Sequence, residues 1–215
     1  MRIVADTVEC AVLTGRGPRD RLWHVASCQR GHFTAGQALQ AGYSYQSQRF
    51  HKQRGNWIQI DRGIYRFREY LDLPSQDTDH FVRWSLWSRE RAVVSHASAL
   101  TVHDLGIANP AEIHLTVPSG FRQKDSAVVL HRCELTDKDI EQHEGFRVTT
   151  PLRAVIETAV SGADQDIVDA AVTELLDQGA VSRRRLLHAA QELGPRAELG
   201  VERALRAETK RLIRP

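Results

Sequence analysis

Nowhere in these 215 residues does an apolar run approach the ~18–20 residues that cross a bilayer. The N-terminus also lacks a signal peptide's apolar stretch ahead of a small-residue cleavage site. Both absences predict a cytosolic chain with no membrane partner. Cysteine is scarce: Cys10, Cys28 and Cys133 are scattered without a Cys-x-x-Cys pair, which argues against a disulfide frame and against a structural metal. There is no glycine-rich phosphate loop, no Gly-x-Ser-x-Gly elbow, no internal repeat and no low-complexity tract. What remains is ordinary globular material. A hydrophobic content of 41% with 26% charged residues can bury a core in one large domain or two small ones.

The small net charge of +2 hides an asymmetry. Residues 21–70 hold eight Lys/Arg against Asp61 and Glu69, a net +6, whereas residues 71–215 hold 18 basic and 22 acidic residues, a net −4. Positive charge gathered in one segment suits a polyanionic partner.

That segment has a legible order. Leu22, Trp23, Val25 and Ala26 make an apolar stripe that Gly31 ends. Thr34 followed by Gln37 is a capping box, with Ala38 and Ala41 turned to the core and Gly42 past the helix end. Ser44 caps the next helix, which runs to about Gln53 and stops at Gly55. A short link between two such helices suits a helix–turn–helix.

The last of these helices is polar and contains no Asp or Glu. Its period puts Ser47 and Phe50 inward, with His51 on the edge, and leaves Tyr45, Arg49 and Lys52 outward, flanked by Gln46, Gln48 and Gln53. Gln and Arg bond adenine and guanine edges bidentately, while Tyr, Ser and Lys hold phosphates. Tyr45, Gln46, Gln48, Arg49 and Lys52 are therefore the expected groove contacts. Trp57–Phe67 then reads as a hairpin turning at Arg62-Gly63. Pairing Ile60 with Tyr65 and Ile58 with Phe67 gathers these four on one face and leaves Trp57, Gln59, Arg66 and Arg68 on the other. Ser44, Arg54, Arg62 and Arg66 are expected at the backbone or minor groove.

The expected fold class is α+β: a winged helix–turn–helix over residues 19–73, followed by an α+β domain over 78–215 with a helical C-terminal part. Residues 1–18 form an N-terminal extension in which Val4, Val8, Ala11 and Val12 permit a short helix. In the second domain we expect helices over 78–91 and 95–105 and strands at 112–117, 127–131 and 145–149. Thr150, Asp164 and Ser182 cap the next three helices, and a last one runs from Arg196 to Leu212.

Two His-x-Ser/Thr triplets, His96-Ala97-Ser98 and His114-Leu115-Thr116, raise a paired-histidine phosphoesterase as an alternative. One begins a helix and the other lies on a strand, so they are expected apart and no catalytic residue is assigned. Glu208-Thr209-Lys210, on the terminal helix, reads as a solvated face. Arg183-Arg184-Arg185 opposes the dipole of the helix it starts, so either an outside user such as an acidic partner surface or DNA phosphate takes it up or the cluster is merely tolerated there.

Taken together, Gly31-His32-Phe33-Thr34, Ala41-Gly42-Tyr43-Ser44, Arg62-Gly63-Ile64-Tyr65, Val94-Ser95-His96-Ala97-Ser98-Ala99, Ile113-His114-Leu115-Thr116-Val117-Pro118 and Val148-Thr149-Thr150-Pro151 give residues 20–160 a resemblance to a known family. The chain resembles the AbiEi-type antitoxins of bacterial toxin–antitoxin operons. The resemblance implies a winged helix that binds inverted repeats in double-stranded DNA and represses its own operon. It also implies a C-terminal domain that counters a nucleotidyltransferase-like toxin, with no cofactor and no catalysis. Neutralisation of the toxin by direct binding is the alternative, and inverted repeats suit either a homodimer or cooperative binding.

Overall fold

In a computed structural model, residues 17–74 and 77–213 are described. The possible helix near Val4–Val12 lies outside them. The chain divides after Pro74 into two compact units.

The first unit begins with α1 (Pro18–Ser27), a three-residue strand β1 (His32–Thr34), α2 (Ala35–Gln40) and α3 (Tyr45–Gln53), and ends with the hairpin β2 (Trp57–Asp61) and β3 (Ile64–Phe67). The strands form an antiparallel sheet in the order β1-β3-β2. The capping box forms as the sequence predicts: Gln37 N donates to Thr34 Oγ1 at 3.1 Å, and Thr34 N to Gln37 Oε1 at 2.8 Å. Ser44 Oγ accepts from Ser47 N at 3.1 Å and starts α3. Ala38 and Ala41 are buried.

The hairpin turns at Arg62-Gly63, with Asp61 opposite Ile64, but its register then departs from expectation. A bulge at Ile60 shifts the pairing so that Gln59 faces Tyr65, Ile58 faces Arg66 and Trp57 faces Phe67. Because each one-residue slip exchanges the faces of a strand, Trp57 goes inside rather than out, and is 2% exposed. The core it joins is aromatic. Phe33 lies 4.8 Å from both Trp57 and Phe67 and 5.9 Å from Tyr65, and Trp23 of α1 lies 5.0 Å from Phe67.

The second unit opens with α4 (Asp79–Trp87), β4 (Val93–Val94), α5 (His96–Val102), β5 (Ile113–Val117) and β6 (Val128–Arg132). It continues through β7 (Ile140–His143), β8 (Phe146–Thr149), α6 (Pro151–Ser161), α7 (Gln165–Asp177), α8 (Arg183–Leu193) and α9 (Pro195–Ile213). Its mixed sheet has the order β6-β5-β4-β8-β7. Helix α5 packs on α6, and α9 packs on α6, α7 and α8. The whole is α+β. Strands β4 and β7 escape sequence analysis because one has two residues and the other a single apolar residue, Ile140, in four. Thr150 and Ser182 cap through their side chains, whereas Asp164 stands at the N-cap position without a side-chain cap bond.

One close approach in the first unit is unforgiving. Gly31 closes α1 by donating to Ala26 O at 2.7 Å and has φ +82°, and a Cβ there would sit 2.2 Å from Tyr70 Cγ. Gly63 has a similar φ of +73° but open space around it. Gly31→Ala should therefore destabilise the first unit by more than about 1 kcal/mol and by clearly more than Gly63→Ala, as measured by urea unfolding followed through tryptophan fluorescence. Equal losses would show that Tyr70 gives way freely.

Candidate nucleic-acid interface and a buried histidine cluster

Helix α3 is held by polar side chains. Gln48, expected as a groove contact, is 5% exposed and its Nε2 donates to Ala35 O at 3.2 Å, tying α3 to the start of α2. It is removed from the set of groove contacts. His51 stacks on Trp57 at 4.9 Å with an interplanar angle of 14°, and its Nδ1 lies 3.1 Å from Asn56 Nδ2. Burial first, and the Arg19 charge second, hold the His51 pKa below its ordinary value.

With Gln48 and His51 as the inward edge, α3 is rotated from the expected setting. Phe50 is half exposed rather than buried, and Tyr45 is 73% exposed. The outermost ridge is then Gln46, Arg49, Phe50 and Gln53, at spacings i, i+3, i+4 and i+7, all exposed. Tyr45 and Lys52 flank it. Arg54 lies beside it, its guanidinium 5.3 Å from the Phe50 ring centre. Ser44 is exposed, although its hydroxyl is occupied as the cap. Phe50 was missed because apolarity placed it inside, whereas Gln53 was placed on the flank of the outward face but not among the expected contacts.

At the hairpin tip, Asp61 Oδ1 accepts from Arg62 N at 2.6 Å, and Gly63 O accepts from Ala35 N at 2.8 Å. The tip is thereby fastened to α2, and the Arg62 side chain is exposed. The side chains of Arg49, Lys52 and Arg62 make no hydrogen bond or ion pair among the described residues. Arg66 differs: it is half-buried, and its Nε donates to Arg30 O at 3.1 Å, so it braces the sheet rather than reaching outward.

The arginine run of α8 also divides. Arg183 pairs with Glu208 and donates to Thr209 Oγ1 at 2.9 Å, which closes α8 onto α9. Glu208 is 5% exposed, so neither it nor Arg183 fits its sequence reading: the carboxylate is buried rather than solvated, and the arginine is its internal counter-ion. Arg184 and Arg185 stay exposed, and Arg185 lines a groove of ≈ 500 Å³ with Arg153, Glu141 and His188.

The two His-x-Ser/Thr triplets, expected apart, converge. The His96 and His114 rings are 5.9 Å apart, and His131 stacks at 3.5 Å on the first and 5.2 Å from the second. His114 Nδ1 lies 3.0 Å from His131 Nε2. His96 has a left-handed φ of +53°, and its Nδ1 lies 2.9 Å from Ser95 Oγ, which accepts from Thr116 at 2.8 Å. Beneath it Glu157 is 4% exposed; Oε1 accepts from Arg153 Nε at 2.8 Å, while Oε2 has no hydrogen-bond partner among the described residues. Burial, then the neighbouring imidazoles, lower the His96 pKa to about 3, and burial and His114 lower that of His131 to about 4. Burial also lowers that of His114. Glu157 is raised by its own burial, opposed by Arg153. A second group of donors, His103, Glu141 and His143, gathers at the sheet edge.

Comparison with protein-family models and with curated proteins found no match. Among solved structures, the chain matches the Rv2827c protein of Mycobacterium tuberculosis with a TM-score of 0.54 at 17% identity, over 87% of this chain and 77% of that one. The two share a fold. At that identity the likeness extends no further. No described helix is long and apolar enough to cross a membrane.

The histidine cluster generates a pH dependence. An unfolded chain protonates these imidazoles near pH 6.5, the folded one only near 3 to 4, so between those values the unfolded state binds more protons and stability rises with pH. A single buried histidine such as His96 contributes a slope of at most about 1.4 kcal/mol per pH unit, full stability being present above about pH 6.5. The raised Glu157 works the other way, so the useful comparison is with a variant. Thermal midpoints of His96→Gln should fall less between pH 7 and 4 than those of the parent. Parallel curves would mean that His96 does not titrate as its surroundings dictate.

Proposed function

We propose that the chain is a sequence-specific DNA-binding protein whose first unit is a winged helix, acting as the autorepressing antitoxin of a bacterial toxin–antitoxin operon. The observation that carries the DNA-binding reading is the outer face of α3, acid-free and exposed, with unpartnered Arg49 and Lys52. The order α1-β1-α2-α3-β2-β3 supports it, because the antiparallel hairpin follows α3 directly, as a wing follows a recognition helix. So does the gathering of eight Lys/Arg against two acidic residues in 21–70. The antitoxin part rests on the resemblance of residues 20–160 to the AbiEi type. The toxin that it would counter is nucleotidyltransferase-like, and the exposed Arg184 and Arg185 are the part of the basic run open to it.

In this reading α3 enters the major groove. Arg49, Gln46 and Gln53 face base edges, Phe50 offers its ring to a thymine methyl, and Tyr45, Lys52 and Arg54 sit toward the phosphates. Arg62 reaches the flanking backbone or minor groove from the hairpin tip. Gln48 and Arg66 have internal partners and take no part.

The test is a mobility shift on the DNA upstream of the protein's own gene. Arg49→Ala should cost roughly 1–3 kcal/mol and relax one base position. Lys52→Ala should weaken all sequences alike and lower the slope of log affinity against log salt by about one. Replacing thymine by uracil in the bound site should weaken the parent but not Phe50→Ala. Unchanged affinity and salt slope in both charge variants would remove α3 from this role.

A further inference from the structure

Unit two carries a set of donors that neither the DNA-binding reading nor the core requires. His103 stands at the C-cap of α5, and Glu141 and His143 stand two apart on β7, the edge strand of the five-stranded sheet. Residues at i and i+2 of a strand share a face, so the edge presents a carboxylate and an imidazole together toward the end of α5. One ligand atom from each of the three lies within 4.8 Å of those of the other two. About 3.4 Å separates donors on a tetrahedral ion with bonds near 2.1 Å, so small side-chain rotations close the set.

The two rings are already held. His103 Nε2 lies 2.7 Å from Thr149 O. A backbone carbonyl can only accept, so Nε2 carries the proton and Nδ1 keeps its lone pair. This is the outer-sphere bond that orients a metal-ligating histidine. His143 stacks on Phe146 at 5.3 Å. Glu141 is exposed and has no hydrogen bond or ion pair among the described residues, so it is the adjustable ligand.

We propose that His103, Glu141 and His143 bind a divalent transition-metal ion of the Zn²⁺ class. Two imidazoles and one carboxylate suit a borderline cation such as Zn²⁺ or Co²⁺ rather than Ca²⁺ or Mg²⁺, which take oxygen donors. Three protein ligands leave a position for water or an incoming donor. Glu141 also lines the groove that holds Arg185. The ion would pin the edge strand to the end of α5, across about forty residues of sequence.

The test uses the full chain, stripped with chelator and then titrated with ZnCl₂ by calorimetry and with Co²⁺ by visible absorption. One ion per chain is expected, with the intense d–d bands of a tetrahedral cobalt site and a higher thermal midpoint with Zn²⁺. Glu141→Gln, which alters an exposed side chain without changing its size, and His143→Ala should each weaken binding at least the roughly 10–100-fold that loss of an outer-sphere partner costs. His24→Ala, at a histidine of the first unit, should bind as the parent does. No binding by the parent, or binding that persists unchanged in Glu141→Gln and His143→Ala, would overturn the proposal.

Discussion

The packing of Phe33 against Trp57 is what the first unit depends on. Phe33 is fully buried on a three-residue strand, and through Trp57 it reaches α3, where His51 lies flat on the indole. Tyr43, in the link between α2 and α3, meets the same indole edge-on at 4.9 Å. The orientation of α3 is thus set from behind by aromatic contact, and the side chains on its outer face carry no structural duty. A face released from packing can carry polar, cationic and even exposed aromatic side chains with little cost to the fold.

Much of this was legible in the sequence. The Thr34–Gln37 box, the Ser44 cap, the buried Ala38 and Ala41 and the turn at Arg62-Gly63 all follow from local chemistry, and local chemistry is what a sequence displays. The failures share a cause, which is tertiary partnership. Phe50 was placed inside because it is apolar, but the inward position went to Gln48 because the Ala35 carbonyl offers its amide an acceptor. Trp57 was placed outside because an unbroken ladder demands it, and the bulge at Ile60 reverses that. Glu208 looked solvated because its partner, Arg183, lies 25 residues away on another helix.

The second unit repeats the lesson with charge. Its interior holds Glu157, Glu208 and His96 among apolar neighbours, each tied to a named partner. The carboxylates keep arginine beside them, and the imidazoles avoid charge by staying neutral. Histidines that sequence spacing assigns to separate elements meet because β4 lies between β5 and β8 and hands the chain directly to α5.

The bond from Ala35 N to Gly63 O has a mechanical meaning. It fastens the hairpin tip to α2, and Gln48 fastens α2 to α3, so tip and helix form a caliper with fixed jaws. In the proposed reading, a duplex held by both would have to match that gap or bend to it. Selection by such a device would act through the stiffness of what is held as well as through its surface.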